Sequence, residues 1–130
     1  MDDTNETSRG GRLSAPAPLI GIVGPCGAGK TTLAAGLARR GFRARAIVQE
    51  HSYVEDMWQR LAKPDVLIFL QASRSVGGAR RSLNWTDADW EEQQRRLRHA
   101  RQHADFFLET DALTIEQVLE SVTAFLQSRD

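Results

Sequence analysis

Two rhythms of hydrophobic spacing alternate along this chain. The first is the short unbroken apolar run. "LIGIVG", residues 19 to 24, ends in glycine and is too short for a helix, which predicts a buried parallel strand. "DVLIFLQAS" carries five consecutive apolar residues from Val66 to Leu70, the signature of a central strand covered on both faces. "ARAIVQE", residues 44 to 50, alternates and then runs apolar, and "DFFLET", residues 105 to 110, is a short fourth strand.

The second rhythm is helical. Leu33, Ala34, Leu37 and Ala38 share one face, and Gly41 stands where a C-terminal cap is expected. Ser52 and Glu55 have capping-box spacing ahead of Met57, Trp58 and Leu61, and Pro64 stops that helix. Ser73 is placed to cap a helix over "RSVGGARRSL", which Gly77 and Gly78 weaken by about 2 kcal/mol relative to alanine. Thr86 caps a long helix with Trp90, Leu97, Ala100 and Ala104 along one side. Thr114 and Gln117 form a second box before Ile115, Val118, Leu119, Val122 and Leu126. Strands alternating with helices imply βαβ units. The expected fold is therefore α/β, a three-layer doubly wound sandwich on a mostly parallel sheet of about four strands.

Ligands of such sheets bind at the carboxyl ends of the strands, which gathers residues 24–32, 49–52, 71–74 and 110–113 on one rim. The first of these stretches is the most informative. Gly24, Pro25, Cys26, Gly27, Ala28, Gly29, Lys30 and Thr31 satisfy G-x-x-x-x-G-K-[ST] between a predicted strand and a predicted helix, with Thr32 following. Glycines let successive N–H groups turn toward an anion, and the helix adds its positive end. Lys30 is then expected on the terminal phosphates and the Thr31 hydroxyl on Mg2+. Cys26 is read as a small residue in a variable loop position in preference to a redox switch.

Phosphoryl transfer also needs a carboxylate and cations that close over the moving group. The strongest strand ends in Gln71 and supplies no acid, so Glu50 is the best-placed candidate, as metal partner or general base. Its alternative is a solvated charge at a strand end. His51 is assigned to structure ahead of proton transfer. Arg74, Arg80 and Arg81 flank the glycine pair and form a candidate mobile lid. "RRLRHAR", residues 95 to 101, is read as a solvated face, and the three tryptophans as core or rim residues.

Composition narrows the picture further. Seventeen basic and seventeen acidic residues leave no net charge, so no general pull toward nucleic acid or anionic membrane is expected. One cysteine cannot form an internal disulfide, and no apolar run approaches the roughly 20 residues that span a bilayer. A cytoplasmic setting is the default expectation. Residues 1–17, rich in Ser, Gly, Pro and charge, are expected to be a disordered tail preceding a single domain over 18–130.

With "GPCGAGKTT", "PDVLIFLQASRSVGGARR" and "ADFFLETDALTIEQVLESVTAFL" in hand, the chain resembles the P-loop small-molecule kinases, the group that includes shikimate kinase and adenylate kinase. The resemblance covers roughly residues 19–128, with only the first motif highly specific. It implies a P-loop NTPase fold, ATP and Mg2+. By the same resemblance Lys30 and Thr31 serve the phosphates and the metal, one or more of Arg74, Arg80 and Arg81 are lid groups, and backbone around Thr110 to Leu113 borders adenine. Departures are Gln71 where aspartate is common, two glycines in the lid helix, and the lack of the larger members' substrate-binding insert and one strand. The expectation is a minimal ATP- and Mg2+-dependent kinase acting on an unidentified small molecule. Alternatives are a nucleotide-binding module without transfer, or an ATPase. A GTPase is disfavoured because neither D-x-x-G nor N-K-x-D occurs. Short exposed sheet edges leave self-association open.

Overall fold

The computed structural model describes residues 17–25, 27–73 and 86–129. The tail over 1–16, Cys26, and the segment with the predicted lid helix, Arg74, Arg80 and Arg81 lie outside the described residues. Four strands, β1 (Leu19–Val23), β2 (Arg43–Ala46), β3 (Val66–Gln71) and β4 (Phe106–Glu109), form one all-parallel sheet in the order β2-β1-β3-β4. Ile22 stands opposite both Ala46 and Ile68, and Ile68 opposite Phe106.

This order explains the two kinds of strand sequence. β1 and β3 are interior and buried on both faces, so they read as continuous apolar runs. β2 and β4 are edges, where exposed and half-buried residues alternate.

Among the described residues four helices cover the sheet: α1 (Lys30–Arg39), α2 (Met57–Leu61), α3 (Asp87–His103) and α4 (Ile115–Ser128). Leu33 and Leu37 of α1 and Val118, Leu119, Val122 and Leu126 of α4 pack with Ile20, Ile22 and Ile68 on one face. Trp58 of α2 and Leu97 and Ala100 of α3 pack with Val23, Leu67 and Phe69 on the other. The three layers are therefore those expected. Gly36 lets α1 and α4 close up, since a methyl there would lie 3.1 Å from Leu119 Cδ2.

The helix ends follow the sequence in three of four cases. Gly41, at φ 92°, ends α1 with its N–H on Ala38 O and the Phe42 N–H on Leu37 O, both 3.0 Å. Capping boxes form at Thr86 with Asp89 and at Thr114 with Gln117. The predicted Ser52–Glu55 box does not form. The Ser52 hydroxyl accepts the Val54 N–H instead, a local turn that competes with helix, and α2 begins only at Met57 after Asp56, which makes no side-chain cap. α2 then stops at Leu61, ahead of Pro64, and Leu61 is exposed where a core contact was expected. Ile115 likewise faces out from the start of α4.

The second strand is shorter than "ARAIVQE" suggests. Pairing ends at Ala46, Ile47 donates one more bond to Ile22 O, and residues Gln49–His51 form a single 3-10 turn. Gln49 is the reason. Its fully buried amide takes the Trp58 N–H at 2.8 Å and donates to Val54 O at 2.8 Å and Arg96 O at 3.1 Å, which draws the chain off the sheet edge. Among the described residues no helix is long and apolar enough to cross a membrane.

Candidate phosphate-binding site

β1 ends on the glycine-rich loop, and the loop runs straight into α1. Its first glycine is forced by the sheet: a Cβ on Gly24 would sit 2.1 Å from Leu70 O of the neighbouring strand. Gly27 and Gly29 take φ of 84° and 96°, and Gly29 is the N-cap of α1 with no side chain bonding the helix end. The first N–H groups of a ten-residue helix therefore point out of the loop without a side-chain cap.

Above this loop lies a cavity of about 640 Å³, within the range of sites that hold a small molecule. Gly27 to Leu33 line its base, Val48, Glu50 and His51 one wall, and Thr110, Leu113 and Ile115 another. Three of the four stretches expected on the rim thus meet at the cavity, with Thr31 and Thr32 both open to it, while residues 71–73 do not line it.

Lys30 is buried and folds back on its own loop. Its ammonium donates to Gly24 O at 2.8 Å, Pro25 O at 3.2 Å and Glu50 Oε2 at 2.7 Å. Glu50 is 2% exposed, so the reading of a solvated charge at a strand end is overturned: it sits on a turn past the strand, in an ion pair. His51 Nε2 stands 3.9 Å from the same Glu50 oxygen, with its side chain 57% exposed.

Two residues that sequence reasoning passed over hold Glu50 in place. Gln49 fixes the turn from inside, as described above. Arg96, one of four arginines assigned to a solvated face, is only 17% exposed in its side chain. It donates to Glu50 O at 3.3 Å and to Glu92 Oε2 at 3.0 Å, and lies 4.2 Å over the Tyr53 ring. Nothing in "RRLRHAR" separates Arg96 from the exposed Arg95, Arg98 and Arg101, since Arg95 is also one turn from Glu92 and pairs with it. The far wall is tied down too: Thr110 N–H bonds Gln71 O at 2.8 Å and Ser73 N–H bonds Asp111 Oδ1 at 2.9 Å.

Residues 20–127 match the family described as "AAA domain". The chain belongs to that family. The AAA domain family is P-loop NTPase-like, includes kinase-like members, and generally uses nucleotide and Mg2+. No curated protein matches the sequence.

The donors fit that chemistry. A glycine cradle closed to side chains at Gly24, an uncapped helix start and a buried ammonium suit a polyphosphate. The Thr31 hydroxyl and the Glu50 carboxylate, both on the cavity wall, are the hard oxygen donors that Mg2+ takes. No group of three or more His, Cys, Asp or Glu gathers to hold a metal among the described residues.

Proposed function

We propose that this AAA domain protein is an ATP-dependent phosphotransferase of the small-molecule kinase type, similar to the shikimate and adenylate kinase group. The observation that carries the reading is Glu50, a buried carboxylate 2.7 Å from the loop lysine and on the wall of the same cavity as Thr31. An acid beside the phosphate cradle opposes a bare polyphosphate and suits a site that also takes a cation or a proton.

In this reading the N–H groups of Gly27 to Thr32 and the Lys30 ammonium bind the β- and γ-phosphates. Thr31 and Glu50 hold Mg2+, which when bound neutralises charge on the transferring group. Glu50 also takes the proton of an acceptor hydroxyl as that oxygen bonds to the γ-phosphorus and the bond to the bridging oxygen of ADP breaks. Arg74, Arg80 and Arg81, which flank the glycine pair in the sequence, are assigned to close over the phosphates. Backbone from Thr110 to Leu113 borders the base.

One observation favours a second reading, nucleotide binding or ATP hydrolysis without small-molecule transfer: β3 ends in Gln71, so the strand beside the loop strand brings no carboxylate to the rim. ATP consumption against a panel of sugars, nucleosides, nucleotides and antibiotics separates the two. Turnover that depends on one acceptor supports the kinase. Turnover indifferent to every acceptor, or none beside Mg-ATP binding, supports the second reading.

A further inference from the structure

Helix α2 has little of its own to hold it in place. It is five residues long, its N-terminus has no side-chain cap, and Trp58 is its one buried residue. Its position therefore rests largely on that indole, 5% exposed in the core cluster with Val23, Leu67, Phe69 and Leu97. An indole carries a donor, and a buried donor needs a partner. The partner is His99 of α3, whose Nδ1 accepts the Trp58 Nε1–H at 3.1 Å, with the two rings 5.8 Å apart.

An indole N–H can only donate, so the His99 Nδ1 must carry a lone pair. Neutral His99 then has its proton on Nε2, and the imidazolium has no acceptor left to offer. His103, one turn on, holds the ring at this angle: it stacks on His99 at 4.3 Å, and its own Nδ1–H donates to His99 O at 2.8 Å. The side chains that face His99 are Trp58 and His103, of which only His103 titrates. The cations close by in the chain are engaged elsewhere or exposed: Arg95 and Arg96 pair with Glu92, Arg60 pairs with Asp56, and Arg98 is exposed. The turn packed against α3 brings Glu50, which pairs with Lys30, and His51. Among the described residues no carboxylate pairs with either His99 or His103.

Trp58 also reaches toward the site. Its backbone N–H donates to Gln49 Oε1 at 2.8 Å, and the amide of Gln49 in turn donates to Val54 O and Arg96 O, the bonds that shape the turn carrying Glu50. We propose that His99 is a positioning residue: by holding the indole of Trp58 it sets α2, hence Gln49, and hence the turn that presents Glu50 to the cavity. It does so only as a neutral acceptor. Protonation of His99 frees Trp58 and lowers transfer, while the glycine loop keeps its hold on phosphate. The inference rests on the transfer role proposed for Glu50.

The test uses the full chain and two substitutions. His99→Asn places a carbonyl oxygen where Nδ1 stands and cannot gain a proton there, whereas His99→Leu keeps bulk without an acceptor. The first readout is the nuclear magnetic resonance signal of the Trp58 indole N–H, assigned by its loss in Trp58→Phe, together with the side-chain amide of Gln49. In wild type both are expected to step with one common midpoint as pH falls from about 8 to about 5, and in His99→Asn neither is expected to step. A Trp58 signal without a step overturns the proposal, as does one that steps equally in His99→Asn, or a Gln49 amide that stays still while Trp58 moves. If a variant fails to fold, the wild-type spectra still decide. The second readout is turnover near pH 8, expected to fall at least about fivefold in His99→Leu with Mg-ATP affinity held within about twofold, and to recover mostly in His99→Asn. Undiminished turnover in His99→Leu, or equal losses of turnover and affinity, overturns the positioning role. Absence of turnover by wild type on every acceptor is a different result. It removes the transfer reading, and the spectra alone then decide whether His99 positions the turn.

Discussion

Two neighbouring stretches of the rim, the loop after β1 and the turn after β2, hold the two ends of one ion pair by opposite means. The loop works through backbone: glycines, open N–H groups and a helix end, with Lys30 as its one committed side chain. The turn works through side chains: Gln49 and Arg96 hold it, and it exists to present Glu50. The first kind of site tolerates only certain residues at certain positions and so carries a motif. The second depends on contacts made across more than forty residues and leaves no local pattern.

Substitutions can pull the two stretches apart, beginning with the most damaging. Gly24→Ala places a methyl against the backbone of β3 and is expected to cost more than about 4 kcal/mol, read as loss of a cooperative transition in urea or on heating. Lys30→Ala removes the ammonium 2.7 Å from the buried Glu50 carboxylate; a loss of about 3 kcal/mol is expected, together with loss of the stabilisation that Mg-ATP gives wild type. A thermal shift by Mg-ATP equal to that of wild type would refute the role of the loop.

Gln49→Met keeps volume but leaves Trp58 N–H, Val54 O and Arg96 O to find other partners, at about 2 kcal/mol. Here the comparison sharpens: turnover should fall far more than Mg-ATP affinity, since the loop is untouched. Equal losses would mean that loop and turn are not separable. The smallest effect is expected at Arg40, which joins α1 to Glu120 at 2.7 Å and to Thr123 at 3.2 Å, away from both stretches. The hydrogen bond from Arg40 holds the Glu120 carboxyl below its ordinary range. A lowered folded-state value means that the pair helps above the unfolded carboxylate value and that the help is lost as pH falls through the lowered one. Arg40→Gln should therefore lower the melting temperature slightly near neutrality, leave it unchanged at acid pH where the pair is already lost, and so flatten the acid limb, with no change in nucleotide binding.

The same contrast sets what could be read in advance. Strand identity, the three layers and the loop were legible because burial on two faces writes continuous apolar runs and a phosphate cradle needs glycine at fixed spacing. Thr86 and Thr114 announced their helices for the same reason, a local bond between residues three apart. Ser52 has identical credentials and fails, because its hydroxyl finds Val54 N–H first. Glu50 was found by its position on the rim, but its burial and its bond to Lys30 were not legible, nor was the role of Gln49. A glutamine amide that satisfies three backbone groups looks in sequence like any surface glutamine.

The strand order carries one more consequence. α1 leads from β1 to β2 over one face of the sheet, and α2 leads from β2 back past β1 to β3 over the other. The two crossovers therefore diverge at the carboxyl end of β1, and a crevice opens there whatever side chains line it. The hollow above Lys30 is in that sense a product of winding. Residues decide what it prefers to hold, while the path of the chain decides that there is somewhere to hold it.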